Sequence, residues 1–355
     1  MAVIKTDISE FINLSRECPI LDVRSPGEYA HAHIPGAHSF PIFTNEERKE
    51  IGTAYKQVSR EAAIKIGLDY FGKKLSAFVE QADALLKQSA SSSKTVAIHC
   101  WRGGMRSSAI AWLLDLYGYK VFLLNGGYKA YRNWVLQQFD IPFRLNIVSG
   151  FTGSNKTGIL EALKLRGERV VDLEDLAKHR GSAFGHIGLA PQPTQEQFEN
   201  LLATELSVLH KQDSEAAVWI EDESQRIGLV NVPPAFFKQM REQEILFLDI
   251  PYEERLNFLA STYGVFEKQE LLNGISRISK KLGGPEHREA TELLEAGNIH
   301  ACFRILLNYY DRLYLKSSQK RFNAESKILS IPANNSTAST NANLLMNYVN
   351  TRTRV

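Results

Sequence analysis

The stretch His99-Cys100-Trp101-Arg102-Gly103-Gly104-Met105-Arg106-Ser107-Ser108 sets one thiol close to two glycines and two arginines. Thr95 to Cys100 reads as a strand, and a helix is expected from about Ser107. The loop between them lies where backbone N–H groups can converge on an anion and where a helix N-terminus adds favourable partial charge. Arg102 and Arg106 bring full positive charges near the sulfur. Both effects favour thiolate over thiol, the form a sulfur nucleophile needs. Gly103 and Gly104 permit the dihedrals and close backbone approach of an anion loop. The catalytic candidates are therefore Cys100, Arg102 and Arg106.

A second stretch, Gly150-Phe151-Thr152-Gly153-Ser154-Asn155-Lys156-Thr157, follows an apolar strand and opens a helix. It fits the phosphate loop Gly-x4-Gly-Lys-Thr except that Asn155 stands at the second glycine. Gly150, Gly153, Ser154, Lys156 and Thr157 are the candidate phosphate-binding residues. Lys156 can reach a diphosphate, and Thr157 can meet its phosphate or a magnesium ion. Asn155 adds a side chain where the backbone must pass close to phosphate. The strand from Ala217 runs into Glu221, Asp222 and Glu223 as a Walker-B strand does, and is expected to supply a partner for Thr157. No certain metal site follows from the spacing.

These loops need elements to hold them. Short apolar runs at 19–24, 95–100 and 120–127 read as strands separated by helical patterns, the last running into a glycine turn. The alternation restarts after Pro142, with strands at 144–150, 169–174, 217–222 and 244–250, and a long helix at 194–211. Thr194 and Gln197 are spaced as its capping box. Strand and helix in alternation imply mainly parallel sheets. From about Asn257 to Gln319 the pattern is helical; 327–332 reads as one last strand and 334–343 as a loop. The expectation is an α/β protein of two domains, 1–140 and 144–355, the second ending in a helical part. No Gly/Ser-rich linker separates them, so direct packing is expected.

The 355 residues, 44% hydrophobic and 23% charged, with net charge +2, suit an ordinary globular protein and make no case by composition for a nucleic-acid partner. Three dispersed cysteines argue against a disulfide framework or a cysteine zinc site. There is no secretory leader pattern and no long apolar run, so a cytoplasmic location away from membranes is expected.

Residues 21–42, LDVRSPGEYAHAHIPGAHSFPI, are similar to the N-terminal signature of the rhodanese family, and Cys100 to Arg106 resemble its active-site loop. That resemblance implies a persulfide or perselenide on Cys100 and structural roles for Asp22 and Arg24. The same loop also fits His-Cys-x5-Arg-Ser of Cdc25-type phosphatases. A rhodanese-like domain followed by a P-loop NTPase-like α/β domain resembles the tRNA 2-selenouridine synthase family, to about residue 330. Residues 177–185, 219–228 and 306–314 are similar to further segments of that family.

The resemblance implies a tRNA substrate with 2-thiouridine at the wobble position. The thiocarbonyl sulfur would attack geranyl diphosphate, and selenium from selenophosphate would then displace geranylthiol. A selenophosphate-producing enzyme is the implied donor partner. His179, Arg180, Ser182, Glu221, Asp222, Glu223 and Arg226 become candidates for contacts with diphosphate, magnesium or tRNA. Lys280, Lys281, Arg304, Arg312, Lys316, Lys320 and Arg321 could form a basic tRNA surface, with Tyr309, Tyr310 and Tyr314 stacking on bases. The alternative for these tyrosines is the helical core. Competing functions are a phosphatase with a nucleotide-binding regulatory domain and an ATP-dependent tRNA sulfurtransferase.

Overall fold

Short apolar runs flanked by turns pair as buried parallel strands when helices return the chain to the same edge. The computed structural model describes residues 3–14, 17–88, 93–322 and 328–353, apart from the side chains of 317–322 and 353. The chain folds as two units, Met1–Gln138 and Phe139–Val355.

In the first unit the strands are β1 (Ile4–Thr6), β2 (Ile20–Asp22), β3 (His38–Ser39), β4 (Thr95–His99) and β5 (Lys120–Leu124). They form one parallel sheet in the order β1-β5-β4-β2-β3. The core includes Leu21, Val23, Ile98, Ile110, Leu114 and Val121, so the strand preceding Cys100 is anchored along its length. The helix after the cysteine loop is Met105–Leu116, two residues earlier than the sequence suggests. Between β3 and β4 lie three helices, Asn45–Gln57, Arg60–Gly72 and Leu75–Gln88. Thr44 and Glu47 close a reciprocal capping box on the first, and Ser59 accepts from the Ala62 N–H to cap the second.

The second unit carries β6 (Leu145–Gly150), β7 (Val170–Val171), β8 (Val218–Glu221), the antiparallel pair β9 (Arg226–Ile227) and β10 (Val230–Asn231), β11 (Ile245–Asp249) and β12 (Ile328–Pro332). Its main sheet is parallel, in the order β12-β11-β6-β8-β7. β6 is therefore central, and the P-loop emerges from its C-terminal end, where open α/β sheets bind ligands. Thr194 accepts from the Gln197 N–H at the start of helix Gln195–Gln212, a cap of about 1 kcal/mol. Helices Tyr252–Tyr263, Lys268–Leu282, Gly284–Glu295 and Ile299–Phe322 share a separate apolar cluster with Phe184.

Two expectations need correction. The strand read at 169–174 ends at Val171, because Asp172 accepts from the Asp175 N–H and caps helix Leu173–Ala177. The stretch 334–343 is only partly a loop: helix Ala338–Thr353 starts within it. Ala342 and Leu345 are buried in one cluster with Ile159, Leu160 and Leu163 of the P-loop helix, so burial of one face overrides the polar composition. Among the described residues no helix is long and apolar enough to cross a membrane.

Candidate active-site loops

Cys100 follows β4 and is 3% exposed. Ser107, one turn into the next helix, donates its hydroxyl to Cys100 Sγ at 3.1 Å. Burial alone would push the thiol up. The Ser107 hydroxyl, the backbone N–H groups of Ser107 and Arg102, and the charge of Arg106 outweigh it and hold the thiol below its ordinary pKa. Arg106 is fixed by Glu28, whose Oε2 accepts from Arg106 Nη1 at 2.9 Å and also caps Ser25. Arg102 is exposed beside the loop, free of that clamp.

The loop rests on the turn that follows β5. The N–H groups of Tyr128 and Lys129 donate to the carbonyls of Cys100 and Trp101 at 2.8 and 3.0 Å. Gly127, at φ +58°, presses against the Cys100 carbonyl and the Gly103 N–H, and any Cβ there would drive the two segments apart. Gly103 meets the same turn, since a Cβ on it would lie 2.7 Å from Leu124 O, while Gly104 caps the following helix. Asp22 and Arg24 are fully buried and paired at 2.6 Å, with Arg24 over the Tyr128 ring at 3.8 Å and bonded to Ala32 O. They brace the sheet end beneath the loop and do not face an open site.

Ser107→Ala tests the thiolate. Removing the hydroxyl takes away the largest contribution opposing burial, so the Cys100 pKa rises. The ascending limb of a pH–rate profile for reaction of the Cys100 thiolate is expected to move to higher pH, with the plateau less affected. Profiles of wild type and variant between pH 5 and 9 check this.

In the second unit, the P-loop needs a left-handed residue immediately before its helix, and Asn155 supplies it at φ +58°. Asn is among the few side chains that tolerate this region, so it can stand where the motif has glycine. Its Nδ2 donates to Ser336 O at 2.9 Å, which ties the P-loop to the chain after β12. Gly153 permits contact with the Arg255 backbone. Arg255 is buried, donates to Thr152 O at 3.1 Å and grips Asp311 through two nitrogens at 2.9 and 2.8 Å. Gly150 ends β6 beside Ser154, whose hydroxyl donates to Phe151 O at 2.7 Å; Ser154 shapes the loop through that bond.

Thr157 finds its partner on helix Leu173–Ala177. Its hydroxyl donates to Glu174 Oε2 at 2.7 Å, and the Glu174 N–H donates to Glu221 Oε1 at 2.8 Å. The Walker-B-like strand thus reaches Thr157 through Glu174. Asp222 accepts from Arg241 Nη1 and from Ser149 Oγ, each at 2.8 Å. Glu221 is 1% exposed, and its Oε2 has no hydrogen-bond partner. Burial, then the neighbouring carboxylates, push Glu221 well above the usual carboxyl range. Burial and Glu174 likewise push Glu223 up to about 8, against the pull of Lys156; Asp172 rises to about 6, chiefly through burial.

Among the described residues no three of His, Cys, Asp or Glu are arranged to hold a metal ion. Near the P-loop Asp222 is paired with Arg241 and Thr157 with Glu174, and burial with the neighbouring carboxylates raises Glu221 and Glu223. With those two acids raised, less negative charge opposes an anion at the loop.

The raised Glu223 pKa gives a stability prediction. A carboxyl raised in the folded state contributes fully below its unfolded pKa near 4.3, and that contribution is lost as pH rises through the folded value near 8. Glu223→Gln removes the loss. Its melting temperature relative to wild type should rise between pH 5 and pH 8, by at least about 2 °C, in paired thermal melts of the free protein.

The segment 177–185 packs beside these acids, with a Cβ on Gly181 falling 2.7 Å from Glu223 Oε2. It is largely self-bonded. The Gly181 N–H donates to His179 Nδ1, Arg180 Nη1 reaches Ile187 O, and Ser182 Oγ accepts from the Phe184 N–H. Arg226 lies apart on the exposed edge of β9, bonded to Gly228 O.

Two family models match the chain: a rhodanese-like domain over residues 7–133 and a tRNA 2-selenouridine synthase AAA domain over residues 143–331. Over 346 residues the chain is 35% identical to the tRNA 2-selenouridine synthase of Bdellovibrio bacteriovorus, covering 85% of this chain and 89% of the relative. The Nitrosomonas europaea protein of the same name is 33% identical over 356 residues, covering 86% and 90%. The chain belongs to the tRNA 2-selenouridine synthase family.

Within that family frame, the basic C-terminal residues divide. Arg304 is engaged bidentately with Glu253 at 2.8 and 3.0 Å, whereas Lys280, Lys281, Arg312 and Lys316 are exposed. Lys320 and Arg321 close helix Ile299–Phe322, and their side chains lie outside the described residues. Tyr309 and Tyr310 belong to the helical core, so the core alternative holds for them. Tyr314 packs on Phe151 of the P-loop at 5.1 Å and shares a hydrogen bond with Ser149. Sequence reasoning missed Ser107, Glu28, Gly127, Glu174 and Arg255. Ser107 had a signal, standing beside Arg106 at the expected helix start; Glu174 and Arg255 had none, because their partners are distant in sequence.

Proposed function

We propose that the chain is a transferase that converts 2-thiouridine at the tRNA wobble position to 2-selenouridine, with a different loop serving each of two steps. In the first, the thiocarbonyl sulfur bonds to C1 of geranyl diphosphate as the C1–O bond breaks and diphosphate leaves. Lys156 and the N–H groups from Gly153 onward stabilise the charge growing on that leaving group. In the second, the selenium of selenophosphate bonds to C2 of the base, the C2–S bond breaks, and geranylthiolate leaves and takes up a proton; water then takes the phosphoryl group as the P–Se bond breaks, and phosphate departs. Cys100, with Arg102 and Arg106, holds selenophosphate and delivers its selenium to C2; a selenophosphate-producing enzyme supplies the donor. Alkylation makes the sulfur a far better leaving group than the thiocarbonyl it replaces.

The observation that carries this reading is the Ser107 hydroxyl 3.1 Å from Cys100 Sγ, which with two loop N–H groups and Arg106 holds a buried thiol below its ordinary pKa. Family membership favours it over the phosphatase and the ATP-dependent sulfurtransferase. Nucleoside mass spectrometry on 2-thiouridine tRNA tests it by omission. Without geranyl diphosphate the base should stay 2-thiouridine, and without selenophosphate it should stop at S-geranyl-2-thiouridine. Formation of 2-selenouridine without a prenyl diphosphate would sink the two-step scheme.

A further inference from the structure

Helices Asn45–Gln57 and Arg60–Gly72, with the start of helix Met105–Leu116, enclose a cleft of 1010 Å³. Its walls include Phe43, Ile51, Ile64, Leu68, Met105 and Ala109. Leu68 and Met105 are 60% and 57% exposed, so the cleft presents apolar surface to water. Four cations also line it: Arg48, Lys49, Lys56 and Arg106. Glu28 pairs with two of them, 2.9 Å from Arg106 and 3.8 Å from Arg48.

Apolar walls with a cationic lining fit a hydrocarbon chain joined to a phosphate-bearing molecule. Pockets of about 300–1,000 Å³ enclose ligands of that scale. The position narrows the occupant further. Met105 and Arg106 belong to the same helical turn as Ser107, which bonds Cys100 Sγ. One wall of the cleft is thus the residue next to the serine that bonds the thiol.

We infer that the cleft receives the ten-carbon prenyl chain of the S-geranyl nucleotide during selenium transfer, with the lining cations against the RNA phosphates. The inference rests on the two-step reading. As C2–Se forms and C2–S breaks, the sulfur leaves carrying this chain, and an apolar receptacle beside Cys100 holds it through the displacement. The cleft thereby sets the selectivity of the second step for long S-alkyl groups.

The test uses the full chain, selenophosphate and anticodon stem-loops bearing either S-geranyl- or S-methyl-2-thiouridine. Wild type is expected to convert the geranyl substrate at least about tenfold more efficiently, since a single methylene in an apolar pocket already changes efficiency that much. In Leu68→Asp that ratio should fall towards one, while geranylation of 2-thiouridine RNA from geranyl diphosphate is unchanged. Tyr55→Asp, at a second exposed position lining the cleft, should do the same. Misfolding would lower both substrates together and spare the ratio. A wild-type ratio retained in both variants, with geranylation and S-methyl conversion undiminished, overturns the assignment of the cleft alone. No 2-selenouridine from either substrate with wild type overturns the two-step reading as well.

Discussion

Cys100→Ala is expected to lower 2-selenouridine formation by about 10²- to 10³-fold, the usual cost of losing one preorganised group at a reacting centre. A buried thiol resists ionisation, yet this one is held below its ordinary pKa because Ser107, two loop N–H groups and Arg106 all favour the thiolate. Such an arrangement opposes desolvation only where the anionic sulfur, or an anion in its place, is used. Cys18 and Cys302 provide the internal contrast. Burial pushes them up to about 11 and about 12, with no comparable stabilisation of the thiolate. Replacing either should leave selenium transfer within a few-fold of wild type. In the Cys100 variant, S-geranyl-2-thiouridine should accumulate, because the residues proposed to bind diphosphate lie in another loop. Mass spectrometry of digested tRNA over a time course reads both species.

The second large effect belongs to Lys156. Lys156→Ala should slow geranylation by about 10²- to 10³-fold, the usual cost of losing one preorganised group that stabilises developing negative charge. The neighbouring carboxyls sharpen the expectation. Glu223 is pushed up to about 8 and Glu221 well above its usual range, so at pH 7 they do not cancel the lysine. Asp222 is spent on Arg241. On the proposed reading, Lys156 is the cationic residue of the P-loop turn that meets the diphosphate. Release of diphosphate from geranyl diphosphate in the presence of 2-thiouridine RNA measures the step directly. The same variant supplied with S-geranyl RNA should still make 2-selenouridine.

The sequence was legible where local pattern and local chemistry coincide. β4 and β6 are short apolar runs that end in glycine-bearing loops, and both loops stand where those runs predict. The anion-loop character of residues 100–106 follows from types alone, because glycine and arginine act through backbone freedom and charge. Legibility fails where the partner comes from afar. Nothing near Thr157 in sequence announces Glu174 as its acceptor, and nothing near Cys100 announces Gly127 as the seat of its loop. The tyrosines at 309 and 310 illustrate a different limit. An amphipathic helix shows that one face is buried but does not tell a stacking platform from a core, and the core claimed both. Asn155 teaches the converse: its departure from the glycine motif becomes intelligible once φ is known, since the position asks for a left-handed backbone and not for the absence of a side chain. The polar stretch at 334–343 turned helical because Ala342 and Leu345 had an apolar partner surface on the P-loop helix.

The central claim is that the two loops divide the chemistry, and it is tested most directly by crossing two variants with two half-reactions. Cys100→Ala and Lys156→Ala are each given 2-thiouridine RNA with geranyl diphosphate, and separately S-geranyl RNA with selenophosphate, with nucleosides quantified by mass spectrometry. The predicted result is a mirror image: Cys100→Ala geranylates and does not selenate, whereas Lys156→Ala selenates and does not geranylate. Loss of the same half-reaction in both variants would contradict it.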